Sequence, residues 1–294
     1  MSDAGLERNA RTTLQQYYDG LSLYQVLAGW LGLGVAARRL TVHRLLTPGR
    51  HGVDPADVVH ERVIETVEAI SSIDSPHVLD AGCGNGGTIF YCQARWGGRY
   101  DGLTLSPRQR DHAVAEARRR GLAGVCRFHL RSYDDPIDDL LPGGVDVVVA
   151  IESLAHAPDP AATLRRLARA VRSGGCLVVV DDVPGDGLAD SDPDFAAFRE
   201  GWRCPAIARR VLLLESLRAG GLIVERDEDL TPLVVQRDAA ALERWLGVSR
   251  IVRPILPGSG LQQLAASFHG GLMLERLYRR GVMQYRVLVG RAGT

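Results

Sequence analysis

The stretch Val78-Leu79-Asp80-Ala81-Gly82-Cys83-Gly84-Asn85-Gly86-Gly87 decides the fold. It runs from an apolar strand through one acidic residue into a glycine-rich turn that opens a helix. Glycine lets the backbone approach a ligand closely and takes positive φ without a steric penalty. Such a turn either joins a strand to a helix and does nothing more, or cradles a ligand. A dinucleotide site expects G-x-G-x-x-G with the pyrophosphate over the helix N-terminus. Asp80 speaks against that ligand, because a carboxylate just before the turn repels a pyrophosphate and attracts a cationic or amino-bearing group.

From about residue 77, strand and helix alternate for a little over a hundred residues. Short runs rich in Val, Leu or Ile at 77–80, 99–103, 125–130, 145–151 and 176–181 read as strands buried on both faces. Ser106 followed by Pro107 opens a helix that closes at Gly121, and a second helix runs from Asp159 through Val171 to a stop at Gly174-Gly175. This alternation implies a parallel sheet with right-handed crossovers. Two late strands at 222–226 and 285–289, separated by a long helical detour, suit a seven-stranded sheet with a reversed final strand. The expected fold is α/β: a seven-stranded, mostly parallel, doubly wound and Rossmann-like sheet. Residues 1–70 read as a helical N-terminal cap, and 71–294 as the main domain, with cap segments inserted at about 182–210 and 236–280.

The 294 residues carry 35 basic residues, all arginine, and 35 acidic ones, for a formal net charge of zero. No global electrostatic term then favours nucleic acid or an anionic membrane, and the partner expected is a small molecule. The absence of lysine reads as codon bias of a GC-rich genome. Cys83, Cys92, Cys126, Cys176 and Cys204 are scattered and form no C-x-x-C pair, which argues against a disulfide framework and against a metal site. No apolar run approaches the roughly 18 residues that span a bilayer, and residues 1–8 lack a signal pattern. A soluble, cytoplasmic protein without membrane insertion is expected, with homo-oligomerisation left open.

The pattern at 78–86, two apolar residues and then Asp-Ala-Gly-Cys-Gly-x-Gly, resembles motif I of the class I S-adenosylmethionine-dependent methyltransferases. Three further stretches are similar to that family in the same order. They are Arg131-Ser132-Tyr133-Asp134, Glu152-Ser153-Leu154-Ala155-His156 and Val171-Arg172-Ser173-Gly174-Gly175-Cys176-Leu177-Val178. The resemblance implies S-adenosyl-L-methionine as cofactor and S-adenosyl-L-homocysteine as its product. By position it implies that Gly82 and Gly84 line the methionine part with Asp80 near the amino group. It also implies that Ser132 and Tyr133 lie around adenine and that Ile151, ending the fourth strand, joins the cofactor-binding set. Most members carry Asp or Glu where Thr104 stands. Gly102-Leu103-Thr104-Leu105-Ser106-Pro107-Arg108-Gln109 instead resembles a carbon-methylating subset that includes the cyclopropane fatty acid synthases. That implies a ribose held by backbone near Thr104 and Leu105 and by the Gln109 amide, donor and acceptor together; an exposed helical glutamine is the alternative.

Gly86-Gly87-Thr88-x-Phe90, Ala94-Arg95-Trp96-Gly97 and Asp101-Gly102-Leu103-Thr104-Leu105-Ser106 resemble the prenyl (geranyl) diphosphate C-methyltransferases. This implies that Glu152 lies near an acceptor alkene. Methyl transfer to a C=C bond leaves a tertiary carbocation, which a carboxylate stabilises before a base removes a proton. A cofactor-side or loop-pinning hydrogen bond is the other reading of Glu152. Tyr17, Tyr18, Trp30 and Trp202 are aromatic candidates to face positive charge, or plain core. Glu152, His43 and Tyr18 form the candidate catalytic set. A diphosphate needs cations, and Arg38, Arg39, His43, Arg44, Arg50 and Arg203 are those at hand; magnesium enters only with such a substrate. His43 serves alternatively as general base on a hydroxyl, as O-methylation requires. Ile151-Glu152-Ser153-Leu154-Ala155-His156-Ala157-Pro158-Asp159 is more similar to broad natural-product and sterol-type methyltransferases. The expected function is S-adenosylmethionine-dependent methylation of a hydrophobic specialised metabolite. C-methylation of an isoprenoid or prenyl diphosphate stands first and O- or N-methylation second. A methyltransferase-fold cyclase or cofactor-binding module stands third.

Overall fold

The computed structural model describes residues 40, 43–49, 52–71, 73–252 and 260–293. Tyr17, Tyr18, Trp30, Arg38, Arg39 and Arg50 lie outside the described residues. The elements run α1 (Val58–Ile70), β1 (His77–Ala81), α2 (Gly87–Trp96), β2 (Arg99–Thr104), α3 (Pro107–Arg119), β3 (Cys126–Leu130), β4 (Val145–Ile151), α4 (Pro160–Arg169), β5 (Val171–Pro184), α5 (Pro193–Trp202), α6 (Arg210–Ala219), β6 (Leu222–Asp229), α7 (Ala239–Val252), α8 (Gly260–Arg279) and β7 (Met283–Ala292).

Seven strands form one sheet in the order β3-β2-β1-β4-β5-β7-β6. β1 to β5 are parallel, and β7 is antiparallel to both β5 and β6. The strand order reverses between β1 and β4, so the crevice beyond their carboxyl ends is where this architecture receives ligands. Every residue of β4 is buried, as expected of a central parallel strand covered on both faces. Val147, Val149, Val178 and Val180 share one core with α1, α2, α3, α5 and α8, whereas Val148, Ala150, Leu177 and Val179 share the other with α4 and α6. Each Val or Leu removed from water here contributes on the order of 2 kcal/mol.

Three helix starts have a local cause. Ser106, Asp159 and Asp192 are N-caps, each followed by proline, and their side-chain oxygens accept from backbone N–H groups of the first turn. The segment before α1 is held by the far edge of the molecule. Leu46 bridges to Val234, Thr47 N–H donates to the Leu233 carbonyl at 2.7 Å, and Val235 N–H donates to that of Leu45 at 2.8 Å.

Some expected boundaries differ. The helix expected to reach Val171 stops at Arg169, and the strand expected from Cys176 starts at Val171. Val171 pairs with Val145, the chain bulges, and pairing resumes at Val147 with Cys176. Gly175 permits the bulge, since a Cβ there would fall 2.4 Å from the Asp146 carbonyl oxygen. β5 also continues through residues 182–184, assigned above to a cap insertion, because β7 stays paired with it as far as Pro184 and Met283. The third strand begins at Cys126 rather than Val125, and β6 and β7 run longer than the apolar runs that marked them.

The close approach of β2 to the glycine turn depends on Gly102. A Cβ on it would lie 2.7 Å from both Cys83 Sγ and Ile89 Cδ1, inside the contact distance of real side chains. Gly102→Ala is expected to lower unfolding stability by about 1–3 kcal/mol through overpacking, measured by chemical denaturation.

Candidate functional site

The glycine turn after β1 has the geometry of a cradle. Gly82 has φ +101°, and a Cβ there would lie 2.6 Å from Ser153 Cβ, so this position takes only glycine and brings the carboxyl end of β1 against that of β4. Gly82 and Cys83 N–H groups both donate to the Leu103 carbonyl, at 3.1 and 2.9 Å, tying the turn to β2. Asp80 is buried at the entrance of the turn, and its Oδ2 has no hydrogen-bond partner; Ser153 Oγ is likewise buried and without one. Burial alone pushes the Asp80 carboxyl up to about 7. Two orphaned polar atoms beside a turn with glycine at positions 82, 84, 86 and 87 fit the amino end of S-adenosylmethionine, which donates hydrogen bonds and carries positive charge.

Thr104 and Gln109 meet at the end of β2. The Thr104 hydroxyl donates to Gln109 Oε1 at 2.8 Å, and Ser106 N–H donates to Thr104 Oγ1 at 3.2 Å. This fixes the amide so that Gln109 Nε2 lies 4.0 Å from the position a Cβ on Gly84 would take. Gln109 is therefore a buried residue and not an exposed helical one. Its amide donor stands beside the glycine turn.

At the carboxyl end of β4, Ile151 is buried and Glu152 adopts φ +49°, a left-handed conformation that costs a non-glycine residue energy. Its Oε1 accepts from the Arg44 backbone N–H at 2.6 Å and from the Tyr285 hydroxyl at 2.9 Å. Burial raises the Glu152 pKa, with nearby Arg44 opposing. The Arg44 guanidinium donates to Asp182 Oδ2 at 2.6 Å, lies 4.5 Å from the Trp202 ring centroid, and donates through Nε to the Tyr278 hydroxyl at 3.3 Å; that hydroxyl donates in turn to Asp182 Oδ1. Asp181, next in β5, is pushed up to about 8, chiefly by burial, and accepts from Leu154 and Ala155 N–H groups.

The remaining expected positions divide. Ser132 Oγ donates to Asp134 Oδ2 and accepts from Asp134 N–H, forming a local turn. The Tyr133 hydroxyl donates to the Ser153 carbonyl at 2.8 Å, so its polar end braces the loop after β4 while its ring packs in the core. His43 lies beside His60, ring centroids 5.2 Å apart, with its buried Nδ1 unpartnered; burial first, then His60 and Arg44, holds it well below the usual histidine range. Trp202 donates Nε1–H to the Ser267 carbonyl, and Arg203 donates to Gln263 Oε1. Sequence reading passed over Ser153, Asp182, Tyr278 and Tyr285. Only Asp182 had a local signal, the acidic pair that ends the valine run of β5.

A family model described as a methyltransferase domain matches residues 79–177. The O-methyltransferase cnsE of Penicillium expansum is 30% identical over 157 residues, 53% of this chain; the chain spans about half, 55%, of that relative's length. Geranyl diphosphate C-methyltransferase from Streptomyces coelicolor A3(2), solved with Mg2+, geranyl diphosphate and S-adenosyl-L-homocysteine, superposes with a TM-score of 0.65 at 18% identity, covering 96% of this chain and 97% of that one. The [4+2]-cyclase SpnF superposes with a TM-score of 0.65 at 21% identity, covering 93% and 94%. At these identities the superpositions speak for the fold alone. Residues 79–177 thus match a methyltransferase domain, and the seven-stranded sheet around them has the fold of the class I, S-adenosylmethionine-dependent methyltransferases.

Two measurements check this site. Thr104→Val keeps the shape and removes the hydroxyl that orients Gln109. Affinity for S-adenosylhomocysteine is expected to fall about tenfold by calorimetry, on the order of 1 kcal/mol for one hydrogen bond. Asp80 has a folded-state pKa above its unfolded value of about 3.9. The folded protein therefore holds a proton that the unfolded chain releases, and stability falls as pH rises from about 4 to about 7. Ligand binding to the ionised form releases that proton below pH 7. Calorimetry at pH 6 in two buffers of different ionisation enthalpy should show the release in wild type and not in Asp80→Asn.

Proposed function

We propose that this chain is an S-adenosylmethionine-dependent methyltransferase acting on a hydrophobic small molecule, with an isoprenoid alkene carbon as the acceptor. When bound, the cofactor supplies a methyl group on a sulfonium sulfur. Asp80 binds the cofactor's amino group, Gly82 and Gly84 leave room for its methionine part, and Gln109, oriented by Thr104, grips the ribose. The observation that carries the acceptor assignment is Glu152. It is a partly exposed carboxylate in a strained backbone conformation at the end of β4, with Tyr285 and the Arg44 backbone holding the same oxygen. A fixed anion there stabilises positive charge that develops on an alkene carbon and accepts the proton lost afterwards.

The diphosphate part of this reading has less support. Among the described residues around Glu152, the Arg44 guanidinium is already paired with Asp182 and stacked on Trp202, and so is spent as an anion receptor. An isoprenoid without a diphosphate, and hence without magnesium, is the form these residues favour. O-methylation is the second reading. It draws on His43, which burial keeps neutral and whose Nδ1 has no hydrogen-bond partner, so that a ring nitrogen is left to accept a hydroxyl proton. No helix among the described residues is long and apolar enough to cross a membrane. A cytoplasmic setting suits the five buried, unpaired cysteines.

The test is a panel with methyl-labelled cofactor: prenyl alcohols, prenyl diphosphates with magnesium, and phenols. Label on a prenyl carbon is expected, with turnover reduced about 100-fold in Glu152→Gln. Label on phenol oxygen replaces the alkene reading by the second one. Cofactor binding without label in any acceptor favours a cyclase or binding module.

A further inference from the structure

Glu152 does not hold its own position, and the groups that hold it come from opposite ends of the chain. We propose that Arg44 and Tyr285 are positioning residues for the Glu152 carboxylate, and that Asp182 latches Arg44 in place. The proposal rests on the acceptor role given to Glu152 above and adds the device that sets it.

Three observations converge. The Arg44 backbone N–H and the Tyr285 hydroxyl both donate to the same oxygen, Glu152 Oε1, at 2.6 and 2.9 Å. Tyr285 lies on β7 directly opposite Asp182 on β5 and is fully buried, so its hydroxyl is aimed by sheet register. Arg44 has no sheet to aim it. Its backbone N–H is presented to Glu152 because its guanidinium is bolted to Asp182 and Tyr278 and stacked on Trp202, while Leu45, Leu46 and Thr47 pair with residues 233–235. The left-handed backbone of Glu152 is the cost that this double restraint offsets. Residues 43–47 thus lie as a strap against Glu152 and complete the surroundings of its carboxylate. The charged and titratable groups facing Glu152 are Arg44 from the strap, Asp181 and Asp182 from β5, Tyr285 from β7 and, through Asp182, Tyr278 from α8.

Glu152 can be read without any acceptor. The full chain is labelled with 13C at the glutamate carboxyl carbons, and the Glu152 resonance is identified by its loss in Glu152→Gln. Removing a donor to the ionised form destabilises that form. The Glu152 midpoint is therefore expected to rise by about one unit, a tenfold change in the ionisation constant, in Tyr285→Phe, which keeps the buried ring. Arg44→Met keeps length, contact with Trp202 and the backbone N–H, but removes the guanidinium charge near Glu152 and the anchor to Asp182, and is expected to raise it as well. Deuterium exchange at the Arg44 amide should quicken about tenfold or more in Glu152→Gln and in Asp182→Asn. An unchanged midpoint in both Tyr285→Phe and Arg44→Met overturns the positioning role, and unchanged exchange in Asp182→Asn overturns the latch. Should Tyr285→Phe fail to fold, Arg44→Met and the exchange data decide. Failure of the acceptor reading looks different: turnover in the labelled-cofactor panel is unaffected by Glu152→Gln, while midpoints and exchange still move.

Discussion

Taking carboxylates out of water is costly, and three buried ones, Asp80, Asp181 and Asp182, stand with the partly exposed Glu152 towards the carboxyl ends of β1, β4 and β5. The site is organised by how each is compensated. Asp181 receives backbone N–H groups from residues 154, 155 and 182 and so fixes the loop after β4. Asp182 receives the Arg44 guanidinium and the Tyr278 hydroxyl, and so fixes the strap before α1. Glu152 receives the Arg44 N–H and the Tyr285 hydroxyl. Asp80 Oδ2 receives nothing from the protein. One uncompensated carboxylate oxygen, buried at a glycine turn, is what a site for an amino-bearing ligand looks like before the ligand arrives.

The same compensation separates two halves of the crevice. On the β1 and β2 side Asp80 Oδ2 and Ser153 Oγ are buried without hydrogen-bond partners, and Gln109 brings its amide beside the glycine turn. On the β5 and β7 side the charges satisfy one another, and Tyr278, Tyr285 and Trp202 supply aromatic surface around them. A polar ligand belongs to the first half, and a largely apolar acceptor suits the second. The opposite arrangement would strand an unpaired guanidinium or leave the cofactor's amino group without an anion.

Much of the cofactor half was legible in the sequence because its causes are local. The Gly82 turn, the Ser106-Pro107 helix start and the alternation of buried strands all arise from residues within a few positions of one another. Thr104 and Gln109 are five residues apart across one helix start and both stood out in the motif, although the hydrogen bond between them did not. Errors fell where pairing with a distant strand overrode local pattern. Glycines 174 and 175 read as the end of a helix, yet they form a bulge inside β5 because β4 pairs with β5 on both sides of it, at Val171 and again from Cys176.

The sequence by itself determined the class of fold and the glycine turn that follows its first strand, because short-range geometry suffices for each. Only the tertiary structure decided what Glu152 and Arg44 touch. Arg44 looked like a free cation for an anionic substrate until the fold set it against Asp182, 138 residues away. Tyr285 was an unremarked member of the last strand until antiparallel register carried its hydroxyl to Glu152, 133 residues earlier in the chain. Charge in a sequence is a property of a residue, whereas charge in a site is what remains after its neighbours have answered it, and those neighbours are chosen by the sheet.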